Sequence, residues 1–200
     1  SNVSLMSKNL TGFDTGPGNG LLDQWCQQHQ GLPYDSSGAW SAGGKVDNTL
    51  LAALLADPFF ALQPPKSTGR EYFNLDWLQN IADAHDLPLD AAQDIQATLT
   101  QLTATTVIES LKVWGGDIGT LVVCGGGRLN NDLMRRLRLA AAALAQTPDL
   151  IEPSEHWGVD GDAIEAAAFA WLAHRRLEHL PGNVPAVTGA AGERVLGAIY

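Results

Sequence analysis

The chain has 200 residues, 45% of them hydrophobic, enough for one substantial core burying about 70% of the surface that the unfolded chain exposes. Twelve Lys and Arg stand against 22 Asp and Glu, a formal net charge of -10, and such a field repels phosphate backbones and excludes general nucleic-acid binding. Cys26 and Cys124 are the only cysteines; they fit a reducing compartment rather than a disulfide scaffold, and with no signal-like leader and no bilayer-length apolar run the expectation is a cytoplasmic globular protein.

The chain opens on Ser1-Asn2-Val3-Ser4-Leu5-Met6, which reads as a strand entered partway along. Val3–Met6 and Leu10–Phe13 flank Ser7-Lys8-Asn9 and predict a hairpin. Thr15-Gly16-Pro17-Gly18-Asn19 cannot continue a strand, and from about Gly20 to Gln30 the spacing of Leu21, Leu22, Trp25 and Cys26 turns helical. Residues 31–46 are rich in Gly and Ser and read as a loop. Asp47 is placed to cap a helix over Asn48–Ala56, which stops near Pro58. An irregular polar stretch, Pro64 to Glu71, precedes a helix over about Leu75–His85.

Asp90 is placed to cap a long helix over about Ala91–Trp114, with Ile95, Leu99, Leu102, Thr106 and Val113 as its core stripe and Gly115-Gly116 as its end. Thr120–Cys124 is a continuous apolar run, as in a buried strand. Gly125-Gly126-Gly127 then leads into a helix over about Asn131–Ala145. A last helix is expected over Asp162–His179, its alanines allowing close packing, and Val195–Tyr200 leans to a strand. Alternating strands and helices argue for an α/β domain.

Four stretches could carry chemistry. In Phe13-Asp14-Thr15-Gly16-Pro17-Gly18-Asn19, a carboxylate at a strand end precedes glycines and a helix start whose free N–H groups suit anions; an ordinary β–α turn reads equally well. In Cys124-Gly125-Gly126-Gly127 with Asn130 and Asn131, bare backbone favours a flat ligand over a tight connection. This is neither a P-loop nor G-x-G-x-x-G, since Asn130 replaces the last glycine. Asp162 and Glu165 have capping-box spacing, so on spacing alone Glu165 is a cap. Lys66-Ser67-Thr68-Gly69-Arg70-Glu71 has the donors to bind an anion, although a solvated loop is the plainer reading. The five histidines show no metal-ligand spacing, and there is no nucleophile elbow.

Together these stretches resemble one family, the anhydro-N-acetylmuramic acid kinases, in the order in which they occur. Leu180-Pro181-Gly182-Asn183-Val184-Pro185 and Val187-Thr188-Gly189-Ala190 look like that family too, and the resemblance covers essentially all 200 residues. It implies the sugar-kinase and actin-like ATPase superfamily, an α/β fold with a mixed sheet flanked by helices. The chain would be the C-terminal domain, 1–200, with a substrate loop at 11–19 and an adenosine-binding glycine turn at 124–131.

The resemblance further implies ATP and Mg²⁺, hydrolytic opening of 1,6-anhydro-N-acetylmuramic acid and phosphorylation of O6, a step of peptidoglycan recycling. Asp14 would be the catalytic base; Gly16, Asn19 and Glu165 would serve the sugar; Gly125, Gly126, Gly127 and Asn130 would serve the nucleotide. The family's phosphate-binding Gly-Thr-Ser-x-Asp-Gly stretch has no match here. The expectation is therefore an N-terminal half as partner, with these residues inactive alone and a sheet edge left open. A homodimer is implied by resemblance only. The alternatives are a non-catalytic nucleotide- or sugar-binding module and another sugar kinase of the superfamily.

Overall fold

A 23-residue helix, α6 (Ala92–Trp114), is the member around which the rest packs. The computed structural model describes residues 1–6, 10–116, 118–143 and 150–199. Twelve residues of α6 are buried, so it is covered on several sides. Its N-terminal half gives Ile95, Leu99 and Leu102 to one core cluster, shared with Leu21, Leu22, Trp25, Leu50, Leu54 and Leu78. Its C-terminal half gives Ala104, Ile108 and Leu111 to a second, shared with Val3, Phe13, Leu133, Leu137 and Ile151. Val113, expected in the same stripe, is instead 61% exposed, because the last turn of α6 runs beyond both clusters. Asp90 is not the cap either: the helix starts at Ala92 with Ala91 before it, and no side chain caps it.

The chain reaches α6 through β1 (Asn2–Leu5) and β2 (Thr11–Asp14), an antiparallel pair with Val3 opposite Phe13. The expected hairpin turn, residues 7–9, lies outside the described residues. α1 (Asn19–Gln30) follows and ends at Gly31 in the left-handed region, φ 69°. The expected loop over 31–46 is partly helical: a 3-10 turn, Ser36–Gly38, leads into α2 (Ala39–Gly43). Asp35 organises that segment by accepting from the amides of Trp40 and Ser41 at 2.9 and 2.8 Å. α3 (Asn48–Leu55) is capped by Asp47 as expected, its carboxylate accepting from the Thr49 and Leu50 amides. Pro58 does stop that helix, but it also opens a short α4 (Pro58–Ala61) capped by Asp57. α5 (Leu75–Ala84) is capped by Asn74.

Beyond α6, β3 (Thr120–Val123) and β4 (Leu150–Pro153) pair in parallel, joined through α7 (Asn131–Ala142). The described strands thus form two separate pairs lying against one core cluster within a mixed α/β fold. β3 is not the fully buried strand its apolar run suggests: Val122 is 39% exposed, and β4 is its only neighbour among the described strands. The predicted end of α7 beyond Ala143 lies outside the described residues. α8 (Ile164–Leu177) buries no residue, so its alanines do not serve close packing here. α9 (Pro185–Thr188) was not expected, and residues 195–199 form no strand. Among the described residues no helix is long and apolar enough to cross a membrane.

α7 is locked to α6 by charge as well as packing. Asp132 has a fully buried carboxylate that accepts from Arg135 and, at 2.8 Å, from Arg136. Arg136 also donates to Gln101 on α6 at 3.1 Å. Burial alone would raise the Asp132 carboxyl, but hydrogen bonds and attraction from Arg136 and Arg135 outweigh it and hold it below the ordinary aspartate value.

Two stability predictions result. Leu102→Ala, at a position with 0% exposure between the two halves of α6, should lower unfolding free energy by about 2–5 kcal/mol in urea denaturation. A depressed folded-state value means that the Asp132 contribution is complete above the unfolded value and lost as pH falls through the folded one. Asp132→Asn should therefore cost about 1–3 kcal/mol at pH 7, and the gap to wild type should narrow below about pH 4. An equal gap at pH 7 and pH 3 would show that the charge is irrelevant.

Candidate functional site

Asp14 ends β2 and is gripped by the segment after Pro65. Its amide donates to the Lys66 carbonyl at 3.0 Å. Its Oδ2 accepts from the Thr68 amide at 2.7 Å and from the Ser67 hydroxyl at 3.0 Å. Those bonds fix the carboxylate's position through one oxygen. Lys66 anchors the grip from below. It is 9% exposed, donates to the Phe59 and Phe60 carbonyls at 3.1 and 3.3 Å, and sits over the Phe59 ring. Burial pushes its ammonium down from the usual lysine value.

Asp14 borders two cavities. One, of about 300 Å³, is lined by Gly16, Pro17, Asn19, Gly20, Thr68, Arg70 and Phe73 among others. The other, of about 480 Å³, lies along β1 and β2 and is closed by Pro65, Lys66, Ser67, Val187 and Thr188. The loop between Asp14 and α1 is held by α6: the Thr103 hydroxyl donates to the Gly18 carbonyl at 3.3 Å, and Gly16 lies against Thr106 and Phe60. Gly18 has φ 58°, a left-handed conformation that a side chain would strain. Asp14 and its glycine loop are thus a rigid strand-end carboxylate beside open space. The plainer reading of Lys66–Glu71 as a solvated loop gives way, because this segment builds the Asp14 wall.

The glycine turn comes next to this site. Gly126–Leu129 forms a 3-10 turn after β3, and Gly125 before it has φ 70°. Asn19, the first residue of α1, lines the first cavity and also lies against Gly126 and Gly127. Asn19 therefore joins the two glycine motifs in space. Asn130 is largely committed to structure: it is 8% exposed, and its Oδ1 accepts from the Leu133 amide at 2.9 Å as the cap of α7. Arg128 ties the turn to the following loop. It donates to the Gly125 carbonyl at 3.0 Å, to Glu155 at 2.6 Å and to Asp162 at 2.9 Å. Hydrogen bonding to Arg128 holds both carboxyls below their ordinary values.

Glu165 stands exposed on the first turn of α8 and is not part of the lining of either cavity. The capping box is absent too. Ala163 occupies the cap position with no side-chain bond, because Asp162 is engaged by Arg128. Ser67, Thr68 and Arg70, read from sequence only as donors that could bind an anion, and Phe73 and Thr188, given no role there, all border the cavities beside Asp14. The stretches holding Ser67, Thr68, Arg70 and Thr188 stood out by resemblance, but only the fold places these residues beside Asp14. Both cysteines are free, Cys26 buried and Cys124 exposed. Among the described residues no three His, Cys, Asp or Glu side chains gather as a metal site.

A family model described as anhydro-N-acetylmuramic acid kinase matches residues 1–200. A protein of that name from Pseudomonas fluorescens (strain Pf0-1) is 52% identical over 202 residues, covering 100% of this chain and 54% of the relative. Another from Chromohalobacter salexigens is 48% identical over 195 residues, covering 96% of this chain and 50% of the relative. A third, from Cupriavidus pinatubonensis, is 48% identical over 203 residues, covering all of this chain and 53% of the relative. The chain spans about half the length of the curated relatives it matches. Matched by the family model along its whole length, the chain belongs to the anhydro-N-acetylmuramic acid kinase family.

Proposed function

We propose that this chain is the C-terminal half of an ATP-dependent kinase that opens 1,6-anhydro-N-acetylmuramic acid and phosphorylates its O6, in peptidoglycan recycling in the cytoplasm. The observation that carries this is Asp14, held by Thr68 and Ser67 at the border of two cavities. Family membership supports the reading through the relatives' names. In this proposal residues 1–200 form the second domain of an actin-like fold, and the phosphate-binding part lies in the remaining length of the relatives.

Asp14 takes a proton from the water that attacks the anomeric carbon. The new bond joins water oxygen to C1, the C1–O6 bond breaks, and O6 attacks the γ-phosphorus while ADP leaves. A carboxylate with one oxygen tied by two donors keeps its other oxygen for that proton. Gly16 and Asn19, which line the Asp14 cavity, contact the sugar. Gly125, Gly126 and Gly127 give the adenosine a bare backbone; a Cβ at Gly125 would meet no atom within 4 Å. Asn130 supports the nucleotide through the turn it ends, since its side chain caps α7. Glu165 stands on α8 outside both cavities and is assigned to the sugar by family resemblance alone. Mg²⁺ is part of the family's chemistry, but the described residues offer it no ligand cluster, and the steps above use none. A homodimer completes the proposal.

Two expectations test it. In the protein extended to the length of its relatives, ADP release from ATP should depend on 1,6-anhydro-N-acetylmuramic acid. Asp14→Asn should lower that turnover by about 10²–10⁴-fold. A well-folded wild type whose ADP release ignores the sugar would instead be a nucleotide-binding protein of another substrate. Residues 1–200 alone should show no turnover, because phosphoryl transfer depends on positioning the phosphates.

A further inference from the structure

The segment Lys66–Arg70 carries two cations, and the fold gives them opposite fates. Lys66 is buried on the Phe59 and Phe60 carbonyls, where it reaches no ligand. Arg70 is exposed, lies along Gly20 and lines the cavity of about 300 Å³ beside Asp14. A Cβ at Gly20 would sit 3.6 Å from the Arg70 Cγ and Nε, so the glycine leaves room for the side chain to lie over the first turn of α1. Asp23, further along α1, feels the charge of Arg70, yet the two form no ion pair. No carboxylate pairs with Arg70 among the described residues.

Asp14 and Arg70 are the acidic and the basic side chain on that cavity's wall. A ligand acid entering beside Asp14 in a chain of net charge -10 meets repulsion unless a cation answers it. Arginine answers a carboxylate with a planar pair of N–H donors, a geometry that lysine lacks. Phe73, 2% exposed overall, adds a ring to the same wall.

We propose that Arg70 is a specificity-determining residue that reads the acid group of the sugar, the lactyl carboxylate that distinguishes a muramic acid from a glucosamine. This rests on the proposed function and adds a role for one side chain. Asp14 acts at the anomeric carbon, while Arg70 selects sugars that carry the acid. The nearest rival is a contact from Arg70 to the transferred phosphoryl group, and the two differ in what removal of the sugar's acid does.

The test uses the protein at the length of its relatives and two sugars, 1,6-anhydro-N-acetylmuramic acid and 1,6-anhydro-N-acetylglucosamine. Dissociation constants are measured by calorimetry, and kcat and KM by ADP release. Arg70→Gln should weaken binding of the acid sugar by about 10–100-fold while leaving the neutral sugar and the KM for ATP unchanged. Arg70→Lys should recover part of the loss. Equal losses for both sugars, a raised KM for ATP alone, or unchanged binding of the acid sugar would each overturn the role of Arg70 while sparing the family's reaction. Failure of the wild type to bind or turn over either sugar would instead sink the functional reading and this role with it. Arg70 is exposed, so an unchanged thermal unfolding midpoint is expected and serves as the folding control.

Discussion

Burial of α6 on several sides is the constraint on which the rest depends. A helix covered this way is a fixed reference for every element it touches. Near its middle, Thr103 and Thr106 meet Gly18 and Gly16 and so set the loop after Asp14. Two residues before Thr103, Gln101 accepts from Arg136 and sets α7, whose N-terminal cap closes the glycine turn. Both candidate motifs are therefore placed from the same few turns of one helix. Their meeting at Asn19 is a consequence of that shared reference.

Holding Asp14 in place has a local cost. The Lys66 ammonium is buried on two carbonyls and an aromatic ring with no carboxylate partner among the described residues, which is unfavourable by itself. What it secures is the path of the backbone from Lys66 to Thr68. That path supplies one acceptor to the Asp14 amide and two donors to its carboxylate. A solvated lysine there would leave this segment free to move, and the carboxylate with it. The aromatic cluster of Phe59, Phe60, Tyr72, Phe73 and Trp77, whose Phe59 ring Lys66 covers, stiffens the same region.

Much of the fold was legible in the sequence where local rules decide. Asp47 and Pro58 marked α3 correctly because a cap and a proline act within a few residues. The stripe on α6 was correct through Thr106 and failed at Val113, where no core remains to cover it. β4 was missed because Leu150-Ile151-Glu152-Pro153 is too short and too polar to show a period, and only parallel pairing to β3 makes it a strand. The capping box at Asp162 and Glu165 failed because Arg128, 34 residues earlier, takes the aspartate. Asp14 was legible from its strand-end position and the glycines after it. Ser67, Thr68 and Arg70 were visible as a motif but had no assigned place, since their closeness to Asp14 depends on contacts over 50 residues apart in sequence.

The three glycines of the turn can be separated by what each would meet. A Cβ at Gly127 would press on Leu133 at 3.3 Å and on the Asn19 side-chain oxygen at 3.4 Å, so packing asks for a glycine there as well. Gly125 differs. Its φ of 70° asks for glycine, yet no atom stands within 4 Å of where a side chain would begin. Arg128 holds its carbonyl and thereby keeps the turn from relaxing into that space. A tight strand–helix connection explains the crowded side of the turn, beside Asn19. The open side at Gly125 is where a flat ligand has room to lie on bare backbone, with the Asn19 contact carrying its position to the wall of the Asp14 cavity.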